Sequence, residues 1–172
     1  MPELAAIELG SNIEPEENLV RAALALKALG ELRAASNVYQ NPAIDRPEQP
    51  DYLNAALLLE TTLAPLDLRA ELRKIEGEMG RVRTADRYAA RTIDLDLCLY
   101  GRLTLSTPEL TLPDPDVLHR PHLALTLSEL EPALDLPGSG ETLRTLAQRL
   151  IRNVDLEPRG EVTQRLKDLL DA

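Results

Sequence analysis

Between Ile93 and Tyr100 two kinds of side chain alternate without a break. Ile93, Leu95, Leu97 and Leu99 fall on one face, and Asp94, Asp96 and Cys98 on the other. A period of two specifies a strand whose apolar face looks into a core and whose other face carries two carboxylates side by side, roughly 7 Å apart at two strand rises. Like charges placed together on a sheet are destabilising unless something neutralises them. A divalent cation does so, and an oxygen-only donor pair favours Mg²⁺. Cys98 is a poor ligand for a hard cation and reads as a small packed residue. Taken alone, a bare Asp-x-Asp equally describes a solvent-facing strand.

The segment before this strand changes the balance. Arg81 to Arg91 contains four arginines and one aspartate, in a chain of net charge −10. Planar guanidinium groups make paired hydrogen bonds to phosphate oxygens. Beside two metal-binding carboxylates they describe a site for a metal–polyphosphate, the equipment that phosphoryl transfer needs. Neither a P-loop nor a Gly-x-Gly-x-x-Gly run is present, so side chains must hold any nucleotide. Upstream, Tyr52 and Asn54 lie two apart where a loop becomes a strand. A ring for stacking beside an amide for paired hydrogen bonds suits a flat heterocycle, although a core Tyr and a turn Asn would look the same.

The rest of the chain frames these pieces. Leu4 to Leu9 reads as a strand, and Pro15 begins a helix with Leu19, Ala22, Ala23 and Leu26 at helical spacing, ended by Gly30. Leu32 to Tyr39 and Leu53 to Thr61 read as strands, with Asn41 to Asp51 a proline-punctuated loop between them. A second helix starts near Pro65, carries Leu68, Leu72, Ile75 and Met79 on one face, and closes at Gly80. Beyond Gly101 the segments Ala124–Leu130, Thr142–Ile151 and Glu161–Leu170 read as helices. The order β-α-β-β-α-β predicts an α+β, ferredoxin-like core, mainly antiparallel sheet flanked by helices, with a C-terminal helical extension. The expected division is a body over residues 1–158 and a helical tail over 159–172. With no Phe, no Trp and four Tyr among 172 residues, the core must be built from Leu, Ala, Ile and Val.

Charge and composition exclude some partners. A net charge of −10 is wrong for tracking nucleic acid or an anionic membrane. One cysteine fits a reducing compartment. No basic, apolar leader and no membrane-length apolar run is visible, so a cytoplasmic protein is expected.

Taken in order, Gly10-Ser11-Asn12, Pro50-Asp51-Tyr52-Leu53-Asn54-Ala55-Ala56, Ile75-Glu76, Gly80-Arg81-Val82-Arg83 and Arg91-Thr92-Ile93-Asp94-Leu95-Asp96 resemble the 6-hydroxymethyl-7,8-dihydropterin pyrophosphokinases of folate biosynthesis, from about Leu4 to Pro137. The resemblance implies transfer of pyrophosphate from ATP to the pterin hydroxymethyl oxygen, with release of AMP. It implies two Mg²⁺ ions on Asp94 and Asp96, with Arg81 and Arg91 completing the catalytic set. It places Arg81, Arg83, Arg87, Tyr88, Arg91, Glu76, Thr111 and Arg120 at the nucleotide. It places Asn41, Pro42, Ile44, Tyr52, Asn54 and His122 at the pterin. Small-molecule substrates and a monomer, with a dimer as the alternative, complete the expectation. Two positions depart from the family pattern: Asp114 stands where a His is common, and His122 where a Phe is common. Two other classes fit the residues less well: a metal-dependent glycosyl- or nucleotidyltransferase, which leaves Tyr52 and Asn54 without a role, and a non-catalytic binding protein, which leaves the intact aspartate pair without one.

Overall fold

A computed structural model describes residues 1–43, 48–80, 90–137 and 139–171. The elements are β1 (Glu3–Ser11), α1 (Pro15–Leu26), β2 (Glu31–Ala35), β3 (Tyr39–Asn41), β4 (Tyr52–Thr61), α2 (Pro65–Glu78) and β5 (Asp94–Tyr100). There follow a short hairpin of β6 (Leu105–Ser106) and β7 (Thr111–Leu112), a 3₁₀ turn (Pro115–Leu118), α3 (Pro121–Leu130), α4 (Leu143–Leu150), β8 (Glu157–Pro158) and α5 (Gly160–Asp168).

The main sheet runs β5-β1-β4-β3-β8, with β2 also on β4, and every pairing is antiparallel. This is the expected ferredoxin-like order, since each β-α-β crossover skips one strand. Period two decides which layer each strand residue enters. Ala5, Ile7 and Leu9 of β1, Leu53, Leu57 and Leu59 of β4, and Leu95 and Leu97 of β5 pack under α1, α2 and α5. Ala6, Ala56, Leu58, Cys98 and Leu99 face the other way, against α3 and α4. Fully burying a leucine contributes about 1.5–3 kcal/mol, so this aromatic-poor core has stability enough in its many leucines.

Two strands differ from their expected form. The alternation in β5 does not reach Leu99: the register with β1 slips between Ala6 and Ile7, which pair with Leu99 and Leu97. Cys98 is the extra residue, and this bulge turns Leu99 into the second layer. Leu32–Tyr39 is two strands, broken at Ser36–Val38. There Ser36 still bonds β4, its amide donating to the Ala56 carbonyl (2.9 Å), but Val38 takes its partners elsewhere. The Val38 amide donates to Thr163 Oγ1 (2.8 Å), and the Val38 carbonyl accepts from the Arg159 amide (2.8 Å).

The C-terminal segment is therefore built into the body. β8 pairs with β3, and Val162 and Leu166 of α5 are buried in the first core. Arg159 donates to Gln40 Oε1 (2.8 Å) and to Glu16 Oε1 (2.6 Å). No helix among the described residues is long and apolar enough to cross a membrane.

Gly30 does more than end a helix. A Cβ there would lie 2.1 Å from the Glu60 carbonyl oxygen, whereas one on Gly77 in α2 meets no atom within 4 Å. Gly30→Ala must push the turn off β4, and we expect a loss of about 1–3 kcal/mol. Gly77→Ala relieves a flexible helical position and should gain up to about 1 kcal/mol. Urea denaturation of the two variants should move the midpoint in opposite directions.

Candidate active site

The second face of the sheet is covered over only part of its length. Beyond Ala6, Ala56 and Cys98, where the α3–α4 layer ends, β1, β4 and β5 turn Glu8, Gly10, Tyr52, Asn54, Asp94 and Asp96 into an open cavity. The register fixes their order. Gly10 of the middle strand pairs with Asp94 on one side and Asn54 on the other, and Glu8 pairs with Asp96 and Ala56. Gly10 is small for a reason: a Cβ there would stand 2.7 Å from Asn54 Oδ1 and 3.9 Å from the Tyr52 ring. The glycine lets the amide and the ring lie across the sheet beside the carboxylates.

The carboxylate end is held from outside the sheet. β5 is an edge strand, and its free backbone groups are covered. The Leu95 amide donates to Glu76 Oε2 (2.7 Å), and the Cys98 carbonyl accepts from the Asp114 amide (2.9 Å). Glu76 is itself buried and paired with Arg73 (3.0 Å). It supports the strand that carries the aspartates and is not among the side chains lining the cavity.

Arg91 reaches Asp94 Oδ2 at 2.9 Å. Its backbone is clamped by the corner after β1: the Arg91 amide donates to Asn12 Oδ1 (2.8 Å), and the Asn12 amide donates to the Arg91 carbonyl (3.2 Å). The Asn12 side chain also donates to Gln49 Oε1 (3.1 Å) and more weakly to the Pro50 carbonyl (3.4 Å). One buried asparagine thus ties together the segment before β4 and the segment before β5. That accounts for the Gly10-Ser11-Asn12 motif, whose part was not readable from its residues.

At the other end, the Asn54 side chain donates to Asn41 Oδ1, and Asn41 donates to the Pro42 carbonyl (3.2 Å). Pro42 and Ala43 continue the wall. The roof comes from Asp114, Asp116, Arg120, His122 and Leu123, around the 3₁₀ turn and the start of α3. Asp114 Oδ1 caps that turn by accepting from the Asp116 amide (3.0 Å), and Asp116 pairs with Arg120 at 3.6 Å. His122 is half-buried there. Burial first, and Arg120 second, hold its imidazole down at about 4, so it is neutral near pH 7.

Of the expected site residues, the structure brings together Asn41, Pro42, Tyr52, Asn54, Arg91, Asp94, Asp96, Arg120 and His122. Thr111 is exposed on the small hairpin, away from the cavity wall. Ile44, Arg81, Arg83, Arg87 and Tyr88 lie outside the described residues. Glu8 and Asp116 join the wall without having been expected there, and Asp114, noted for its departure from the family pattern, lines it too. For Glu8 a signal existed: it is the one charged residue inside the Leu4–Leu9 apolar run.

The electrostatics favour cations. Burial first, then Asp94 and Asp114, push the Asp96 carboxyl above the usual range, and burial likewise raises Asp114. Among the described residues no three carboxylate, His or Cys side chains converge as a self-sufficient metal cage. Two neighbouring carboxylates, Asp94 and Asp96, would suit Mg²⁺, an ion commonly bound by one or two protein carboxylates.

Known proteins are similar to this chain in sequence and in fold. The sequence model of the family described as 7,8-dihydro-6-hydroxymethylpterin-pyrophosphokinase matches residues 6–132. The 2-amino-4-hydroxy-6-hydroxymethyldihydropteridine pyrophosphokinase of Haemophilus influenzae is 41% identical over 138 residues, covering 78% of this chain and 86% of that protein. The protein of the same name from Pseudomonas aeruginosa is 40% identical over 144 residues, covering 82% and 88%. A crystal structure of Plasmodium falciparum HPPK-DHPS has the same fold at 14% identity, with a TM-score of 0.71 over 88% of this chain. The chain spans 43% of that longer protein. On the match over residues 6–132 and these relatives, the chain belongs to the 7,8-dihydro-6-hydroxymethylpterin-pyrophosphokinase family.

Proposed function

We propose that this chain transfers pyrophosphate from ATP to the hydroxymethyl group of 6-hydroxymethyl-7,8-dihydropterin, releasing AMP. The observation that carries the reading is the placement of two chemically different ends on one sheet face. Asp94 and Asp96 stand on one side of Gly10, and Tyr52 and Asn54 on the other. A heterocycle held by the second end directs its substituent toward the first, which is how positioning lowers a bimolecular barrier.

The same geometry supports the residue roles. Asn54, locked by Asn41, presents a fixed amide to the polar edge of the ring. Tyr52 and a neutral His122 offer aromatic faces. Arg91 and Arg120 are placed to take phosphate oxygens. Arg91 is the more constrained: Asn12 fixes its backbone, and its pairing with Asp94 holds the guanidinium at the cavity. Arg81, Arg83, Arg87 and Tyr88 are assigned to the nucleotide by sequence alone, as are Ile44 to the pterin and Thr111 to the nucleotide. Glu76 acts through β5 as a positioning residue. Two Mg²⁺ ions on Asp94 and Asp96 would neutralise the triphosphate and acidify the attacking hydroxyl. The net charge of −10 supports small-molecule substrates rather than nucleic acid. We infer a cytoplasmic location from the sequence and, from the family resemblance, a monomer, with a dimer as the alternative.

Asp96→Ala should lower the rate of pterin-dependent AMP release at least a hundredfold, about 2.7 kcal/mol of barrier. Its thermal midpoint should hold or rise, because one of two repelling carboxylates is gone. Turnover near wild type in both Asp94→Ala and Asp96→Ala would remove the metal role. If His122 stacks on the pterin, His122→Phe offers a larger apolar face and should keep or tighten pterin binding in a fluorescence titration. Binding more than tenfold weaker would mean the imidazole acts through its nitrogens instead.

A further inference from the structure

Glu8 occupies the boundary between the apolar layer and the cavity. Its strand neighbours on the same face are Ala6, packed under α3, and Gly10, open to the site; its cross-strand partners are Ala56 and Asp96. It is 5% exposed. Thr126, one turn along α3 from His122, donates to Glu8 Oε2 at 2.7 Å. Oε1 has no hydrogen-bond partner, and it is the one buried side-chain oxygen or nitrogen among the described residues in that state.

Such an atom is costly: a buried acceptor left unsatisfied loses about 1–3 kcal/mol. The surroundings make it worse. Burial drives the carboxyl well above its usual range, the Thr126 bond draws it back in part, and Asp96, Asp94 and Glu129 add to the rise. The charges acting on it are thus all acidic. An alanine or leucine would suit this layer of Ala6, Ala56 and Cys98 better than a carboxyl does. Glu8 nevertheless lines the same cavity as Tyr52, Asn54 and His122.

We propose that Glu8 is a further binding residue for the acceptor substrate, its Oε1 taking a hydrogen bond from an N–H or O–H group of the heterocycle lying between Asn54 and Asp96. This rests on the acceptor reading of the cavity. Thr126 holds Oε2 from the α3 side, while Oε1 is left without a partner in a residue that lines the cavity. Thr126 Oγ1 also lies 3.0 Å from the His122 carbonyl, so its hydroxyl can turn and accept from Glu8 instead. A side-chain amide at position 8 could therefore keep the arrangement.

The test uses the full chain with Glu8→Ala, Glu8→Leu and Glu8→Gln. It reads thermal midpoint, affinity for 6-hydroxymethylpterin, and affinity for a non-hydrolysable ATP analogue with Mg²⁺. Glu8→Ala should hold or raise the midpoint, weaken pterin binding at least tenfold, and leave nucleotide affinity within twofold. Glu8→Leu fills the same volume and should behave alike, which separates the effect from lost packing. Glu8→Gln should stay within threefold of wild type for pterin. Unchanged pterin affinity in a folded Ala or Leu variant would overturn the assignment. So would an equal loss of nucleotide affinity with no rescue by Gln, which would make Glu8 part of the metal site. Wild-type protein that binds nucleotide but no pterin would overturn the acceptor reading itself, and this inference with it.

Discussion

β1 is hydrogen-bonded along both edges, to β4 and to β5, and everything at the site depends on that double pairing. The two registers place Asn54 and Asp94 opposite the same residue, Gly10. A slip of one residue in either pairing would turn its side chains to the other face of the sheet. The leucines prevent such a slip. Leu9, Leu57 and Leu95 are essentially completely buried, and exchanging them for aspartate or asparagine in the core would cost several kcal/mol. The apolar layer on one side of the sheet thus sets the register of the reactive groups on the other.

The carboxylates form a second constraint of opposite sign. Glu8, Asp94, Asp96 and Asp114 crowd one end of the cavity, with Arg91 on Asp94 as partial relief. A protein built for stability alone would not gather them. The arrangement persists because the surrounding backbone is over-determined. Glu76 and Asp114 cover the edge of β5, Asn12 joins the two irregular segments, and the bulge at Cys98 buries the far end of the strand. A cation would lower the energy of this end.

How much of this was legible in the chain depended on whether the signal was local. Period two in Ile93–Leu97 and helical spacing in Leu19–Leu26 reflect single elements facing one core, and both matched the structure. The bulge at Cys98 was not legible, because it arises from mismatch with a strand ninety residues earlier. Nor was the break at Ser36–Val38, where Thr163 and Arg159 from the far terminus outcompete the ladder. In the site, alternation put Asp94 and Asp96 on one face, whereas Tyr52 and Asn54 could not be told by pattern from a core Tyr and a turn Asn and were assigned through the family resemblance. Asn12 was visible only as part of a motif, since its hydrogen bonds reach Arg91 and Gln49 across long stretches of chain. Asp114 and Asp116 enter the wall through a 3₁₀ turn whose docking on β5 no local spacing encodes.

The C-terminal segment shows how distance in sequence and distance in energy part company. It lies beyond the stretch that resembles the family, yet Val162 and Leu166 complete the first core, and β8 pairs with β3. β3 ends in Asn41, whose side-chain Oδ1 orients Asn54. Without β8 and Arg159, β3 would be a three-residue strand held on one edge only, too short for its pairing with β4 to fix a side chain well. The Asn54 amide on the cavity wall is therefore positioned in part by the C-terminal segment. A disturbance of that segment should be felt first at Asn41 and Asn54, because the carboxylate end hangs on β1, α2 and the turn before α3, none of which takes a hydrogen bond from Arg159.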